Sequence, residues 1–112
     1  MMEITQKKVG RACVVTPQVK KIDASVAVEF RKQLLDLVAT GEHRLVLNLG
    51  GVDFIDSSGL GALVSVLKNI GPGGRIKLFA VKDGVRSIFE LTRLDRMFDI
   101  HISEKGAVED LK

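Results

Sequence analysis

The residues able to do chemistry gather near the middle of the chain, in Val52-Asp53-Phe54-Ile55-Asp56-Ser57-Ser58-Gly59-Leu60-Gly61. A serine nucleophile at a strand-to-helix elbow needs glycine two residues on either side. Ser57 has Ile55 before it and Gly59 after it, while Ser58 has Asp56 and Leu60, so neither fits. The histidines able to act as base are His43, at the other end of the strand that leads to the stretch, and His101, in the last strand. Both read as surface or edge residues. Asp53 and Asp56 could touch Mg²⁺, but a hard cation wants about six oxygens and two carboxylates are a thin start. A phosphate-bearing aspartate would want acids from other strand tips, where this chain has Asn48. Gly71-Pro72-Gly73-Gly74-Arg75 lacks the Gly-Lys-Ser/Thr ending of a phosphate loop and reads as a helix stop. No catalytic residue, metal site or cofactor is expected.

Binding or modification remains. Ser57 can cap the following helix with its hydroxyl, and Asp56 could do the same. Two details go beyond a plain cap. No Glu or Gln follows three residues after either serine, so the capping box is incomplete. Gly59 and Gly61 occupy the first helical turn, where each costs about 0.5–1 kcal/mol relative to Ala. A bare turn suits close approach by another backbone or a partner. A helix N-terminus also favours an added anion, so phosphoserine is tolerable there. Beside Asp53 and Asp56, in an interface, the same phosphate would be costly.

The elements that must position this stretch follow from hydrophobic periodicity. Glu3 to Lys8 reads as an edge strand, Gly10 as a break, and Arg11 to Thr16 as a strand ended by Pro17. Gln18 to Ile22 reads as a connection, with Asp23 as N-cap of a helix from Ala24 to Thr40 and Gly41 at its end. Arg44 to Leu49 is apolar on both faces, as a central strand should be. Leu60, Leu63, Val64, Leu67 and Ile70 define a second helix, and Ile76 to Val81 another core strand. A shorter helix carries Val85, Ile88, Phe89 and Thr92, and Phe98, Ile100 and Ile102 alternate in a last strand. Lys105 to Lys112 predicts a terminal helix. Strands alternating with helices imply right-handed crossovers. The expected fold is α/β, a mostly parallel or mixed sheet of four to five strands with three to four helices.

The chain's 112 residues suit a single domain, residues 1–112, with a core of its own. Hydrophobic residues make up 46% and charged residues 28%, a globular balance. The net charge of +3 is scattered, and without Trp or Tyr there is no stacking platform, so nucleic acid is not an expected partner. The single Cys13, in an apolar run, reads as a buried thiol. No run has signal-peptide or membrane-spanning character, so a cytoplasmic location without membrane contact is expected.

The stretch from Val52 to Gly61 closely resembles the signature of bacterial anti-sigma factor antagonists, the STAS domain family. The likeness extends to the Leu45-Val46-Leu47-Asn48-Leu49 strand, to Ile22-Asp23-Ala24 and to Val85-Ile88-Phe89. It implies a non-enzymatic protein acting by partner switching. The unphosphorylated form would bind an anti-sigma factor that is also a GHKL-type serine kinase, and a PP2C-type phosphatase would reset the phosphorylated form. The acceptor position maps to Ser57, with Ser58 as the alternative. Asp23, Asp56, Ser57, Ser58, Gly59, Leu60 and Gly61 map to the partner-binding surface, in a monomer or weak dimer. Lys20-Lys21 depart from the family's more usual wording before the first helix. The other role open to such a domain is a structural subunit of a lipid-transport or stress-sensing assembly, its serine unmodified.

Overall fold

A computed structural model describes residues 2–111. Strand β1 (Ile4–Val9) folds back on β2 (Ala12–Pro17) as an antiparallel hairpin, with Ile4 opposite Pro17. The chain then forms β3 (Lys21–Ile22), α1 (Ala27–Ala39), β4 (Arg44–Asn48), β5 (Phe54–Ile55) and α2 (Ser57–Asn69). It ends with β6 (Arg75–Phe79), α3 (Asp83–Leu91), α4 (Asp95–Phe98), β7 (Ile100–His101) and α5 (Glu104–Glu109). Five strands make one sheet in the order β1-β2-β4-β6-β7, and every pairing after the hairpin is parallel. The mixed α/β sheet agrees with the expectation. Helices number five among the described residues, against the three to four expected.

The core follows from side-chain alternation along these strands. Cys13, Val15, Leu45, Leu47, Ile76 and Leu78 face one way, onto Phe30 and Leu34 of α1 and Leu63 and Val66 of α2. Val14, Val46 and Phe79 face the other way, onto Ala107 of α5 and Leu111. Cys13 is a free, buried thiol, and burial pushes its pKa up. Gly41 ends α1 with φ +106, donating to the Val38 carbonyl while the Glu42 N–H reaches back to Leu37. That pair of bonds needs a residue free to take positive φ.

Three readings change. Gln18 to Ile22 is not only a connection, because Lys21 and Ile22 pair in parallel with Phe54 and Ile55 as a separate two-stranded sheet. Asp23 does not cap α1. Its carboxylate accepts from the backbone N–H and hydroxyl of Ser25, at 3.0 and 2.6 Å, and the helix starts only at Ala27. Phe98 is not in the last strand. It closes α4 and meets Phe89 edge to face, with centroids 6.0 Å apart, as aromatic pairs prefer. Burying that ring interrupts the strand pattern, so β7 has two residues and Ile102 is left 96% exposed.

Candidate functional site

The small sheet builds the site. Because Ile22 pairs with Ile55 in parallel, the chain leaves both strands in the same direction, through Asp23 and Asp56. The two connections are stitched together by the Asp56 N–H donating to the Ile22 carbonyl at 3.3 Å. Asp53 and Phe54 both donate to the Lys20 carbonyl, at 2.7 and 3.2 Å, which ties the Lys20-Lys21 loop to the acidic stretch.

Helix α2 begins three residues earlier than its apolar pattern suggests, at Ser57. Asp56 is the N-cap: its backbone is extended and its Oδ1 accepts from the Gly59 N–H at 3.1 Å. Of the two capping candidates the carboxylate therefore does the work, and the cap does not use the Ser57 hydroxyl. Ser57 and Ser58 are both exposed in the first turn. An Asp56→Ala variant is expected to lose about 1 kcal/mol of stability, read as a lower denaturation midpoint. An unchanged midpoint would mean that the cap is idle.

The seven residues do not share one fate. Gly61 and Ser58 line a groove of about 390 Å³ between α1 and α2, together with Ala27, Val28, Arg31 and Ser65. Gly59 and Leu60 are buried. A Cβ on Gly59 would lie 2.4 Å from the Ile22 carbonyl oxygen and 2.7 Å from Ile55 Cγ1. Of the two expected reasons for a bare turn, another backbone or a partner, Gly59 has the first, and the backbone that approaches it is the chain's own. Gly61, with nothing within 4 Å of its would-be Cβ, remains open.

Two side chains that periodicity could not single out accompany the serines, Val28 in the same groove as Ser58 and Phe54 three residues before Ser57 in the chain. Phe54 on β5 is 44% exposed and Val28 on α1 is 71% exposed, although both are large and apolar. Their signal was weak in sequence, since one lies in a two-residue strand and the other off the apolar stripe of its helix. The charge of the stretch also differs from expectation. Asp53 is hydrogen-bonded and paired to Lys82, just before α3. That bond and the Lys82 charge, with a smaller contribution from Lys20, hold the Asp53 carboxyl below its ordinary range. Asp53 is therefore already compensated.

The histidines stand apart from the serines. His43 Nδ1 lies 3.0 Å from the carbonyl of Ile70, at the far end of α2, and His101 pairs with Phe79 across β7 and β6. Asn48 accepts from the Gly50 N–H at 2.9 Å and so shapes the turn after β4. Among the described residues no group of three or more His, Cys, Asp or Glu could hold a metal ion, and no helix is long and apolar enough to cross a membrane.

The fold and the site define a small open α/β module that presents a polar strand-to-helix turn. The chain belongs to the STAS domain family, whose model matches residues 3–107. It is 32% identical over 95 residues to a Thermotoga maritima protein named as a candidate anti-sigma factor antagonist, covering 83% of this chain and 84% of that one. A crystal structure of a Thermotoga maritima protein so described superposes with a TM-score of 0.88 at 30% identity, covering 96% of this chain and 93% of that one. The phosphorylated form of the Bacillus cell fate determinant SpoIIAA has the same fold, with a TM-score of 0.72 at 18% identity over 98% of this chain and 100% of that one.

Proposed function

We propose that this protein is an anti-sigma factor antagonist, without enzymatic activity of its own, that works by partner switching in the cytoplasm as a single STAS domain. Unphosphorylated, it binds an anti-sigma factor that is also a GHKL-type serine kinase. Phosphate transfer to Ser57 ends the binding, and a PP2C-type phosphatase restores it. The observation that carries this reading is the division of labour at the start of α2. Asp56 makes the cap, which leaves the exposed Ser57 hydroxyl outside that bond. A helix whose cap does not depend on its first serine can lose that hydroxyl to phosphate without unravelling.

The electrostatics support the same cycle. The N-terminus of α2 offers free backbone N–H groups and a positive dipole end to the phosphate, so the fold itself tolerates the charge. Asp53, held by Lys82, adds little repulsion. The penalty falls on the interface, where about −1.5 to −2 charges arrive beside Asp56 and against a docked surface. Phe54 and Val28 supply apolar contact for that surface, and Asp23, Ser58 and Gly61 its polar and close-approach parts.

Incubating the protein with a candidate cognate kinase and ATP, then mapping the product by mass spectrometry, tests the assignment. Phosphate is expected on Ser57, with incorporation abolished in a Ser57→Ala variant. Phosphate on Ser58, or a Ser57→Ala variant modified at the full rate, would overturn it.

A further inference from the structure

We propose that α5 is a conditional cover over the second face of the main sheet, whose closure depends on the pairing of the buried Lys77 amine with Asp99 and Asp110. The proposal is independent of the Ser57 reading, because this face lies on the opposite side of the sheet from α1 and α2.

Residue 77 sits where an apolar side chain would be expected. In the parallel register of β4 and β6 it lies beside Val46, which in turn lies beside Val14 of β2. Lys77 is only 3% exposed. A buried ammonium is tolerated only when it is paired and hydrogen-bonded. Its partners come from two segments that follow β6 in the chain. Asp99, in the turn between α4 and β7, bonds to it directly, and Asp110, just after α5, stands 2.9 Å away. The acids keep half of their exposure, at 50% and 42%, while the cation has almost none. The pairs therefore exist only when the turn and α5 bring their carboxylates to the amine.

The neighbourhood is charged throughout. His101 on β7 lies 3.2 Å from Asp110 Oδ2 without forming a hydrogen bond there. Arg86 of α3 and Asp95 of α4 line the same cavity as Asp99, His101 and Asp110. Arg75 of β6 also acts on Asp110 through its charge. At its other end α5 is tied to the hairpin by Glu104, 3.2 Å from Lys7. Helix α5 itself has six residues, too few to persist without its seat. Its apolar anchors are Ala107 and the following Leu111, against Ala12, Val14, Val46 and Phe79.

The two halves of the latch are not equivalent. Removing the carboxylates strands a buried cation, and the chain can relieve this by lifting α5 so that water reaches Nζ. Removing the cation leaves two half-exposed carboxylates in water above a fully apolar face. An apolar residue at 77 would make the cover permanent, whereas lysine makes it depend on charge. Opening would uncover a second surface, apolar with one central cation.

Hydrogen exchange tests this on the amides of Ala107, Asp110 and Leu111, whose bonds run to Ser103, Gly106 and Val108. In the Asp99→Asn/Asp110→Asn double variant these amides are expected to exchange at least tenfold faster than in the wild type, with β4 amides unchanged. In a Lys77→Met variant they are expected to exchange no faster than in the wild type. If the double variant loses protection throughout, the single Asp110→Asn variant gives the same readout. Unchanged α5 exchange after carboxylate removal would overturn the proposal. So would a Lys77→Met variant that opens α5 as far as the carboxylate variants do, since the pairs would then be simple adhesive.

Discussion

A Ser57→Asp variant is expected to bind the proposed partner kinase at least about a hundredfold more weakly than the wild type. The magnitude follows from placing an unpaired charge in an interface core, roughly 3–5 kcal/mol. The substitution changes neither the Asp56 cap nor the residues beneath it, so thermal stability should stay close to the wild-type value. A carboxylate in the first turn of a helix is itself mildly favourable. Isothermal titration of each variant against the kinase, beside a melting curve, separates the two effects. Equal affinity for both forms would sink the switch, and a collapse in stability would mean that the lost binding reports unfolding instead.

The second large effect concerns Gly59. A methyl group there would meet the Ile22 carbonyl oxygen at 2.4 Å, which is backbone and cannot swing aside. Gly59→Ala should therefore cost about 1–3 kcal/mol, the range for overpacking a tight site. That is several degrees in melting temperature for each kcal/mol in a domain of about this size. Gly61→Ala, with open space around it, should be neutral or slightly stabilising, because alanine favours the helix. Comparing the two melting curves checks the assignment of each glycine. If both variants behave alike, the close contact between α2 and β3 is not what requires glycine.

The fold was legible in the sequence wherever a period ran long enough to count. The apolar stripes of α1 and α2 and the doubly apolar Leu45 to Leu49 run could hardly form other elements. The small sheet was not legible, since Lys21-Ile22 and Phe54-Ile55 are too short to carry a period. Phe98 shows the opposite failure: a clean alternation with Ile100 and Ile102 existed, but an aromatic partner in the core outweighed it. At the site, the stretch itself stood out by its acids, hydroxyls and glycines. Which residue capped the helix, and which glycine faced inward, depended on where β3 lay. Lys77 gave no signal, because one lysine among Ile76, Leu78 and Phe79 reads as ordinary alternation until its partners from Asp99 and Asp110 are placed.

The pairing of Ile22 with Ile55 has a consequence for how such a domain could be retargeted. Asp23-Ala24-Ser25 and Asp56-Ser57-Ser58 leave neighbouring rungs of one small ladder, yet only the second holds the proposed acceptor. The segment that leads into β3 touches the second arm through the Lys20 carbonyl, a backbone atom, so its side chains can change, as Lys20-Lys21 already do, while the proposed chemistry of the second arm stays fixed. Grafting residues 18–21 from a relative would be an address change on a letter whose contents are untouched.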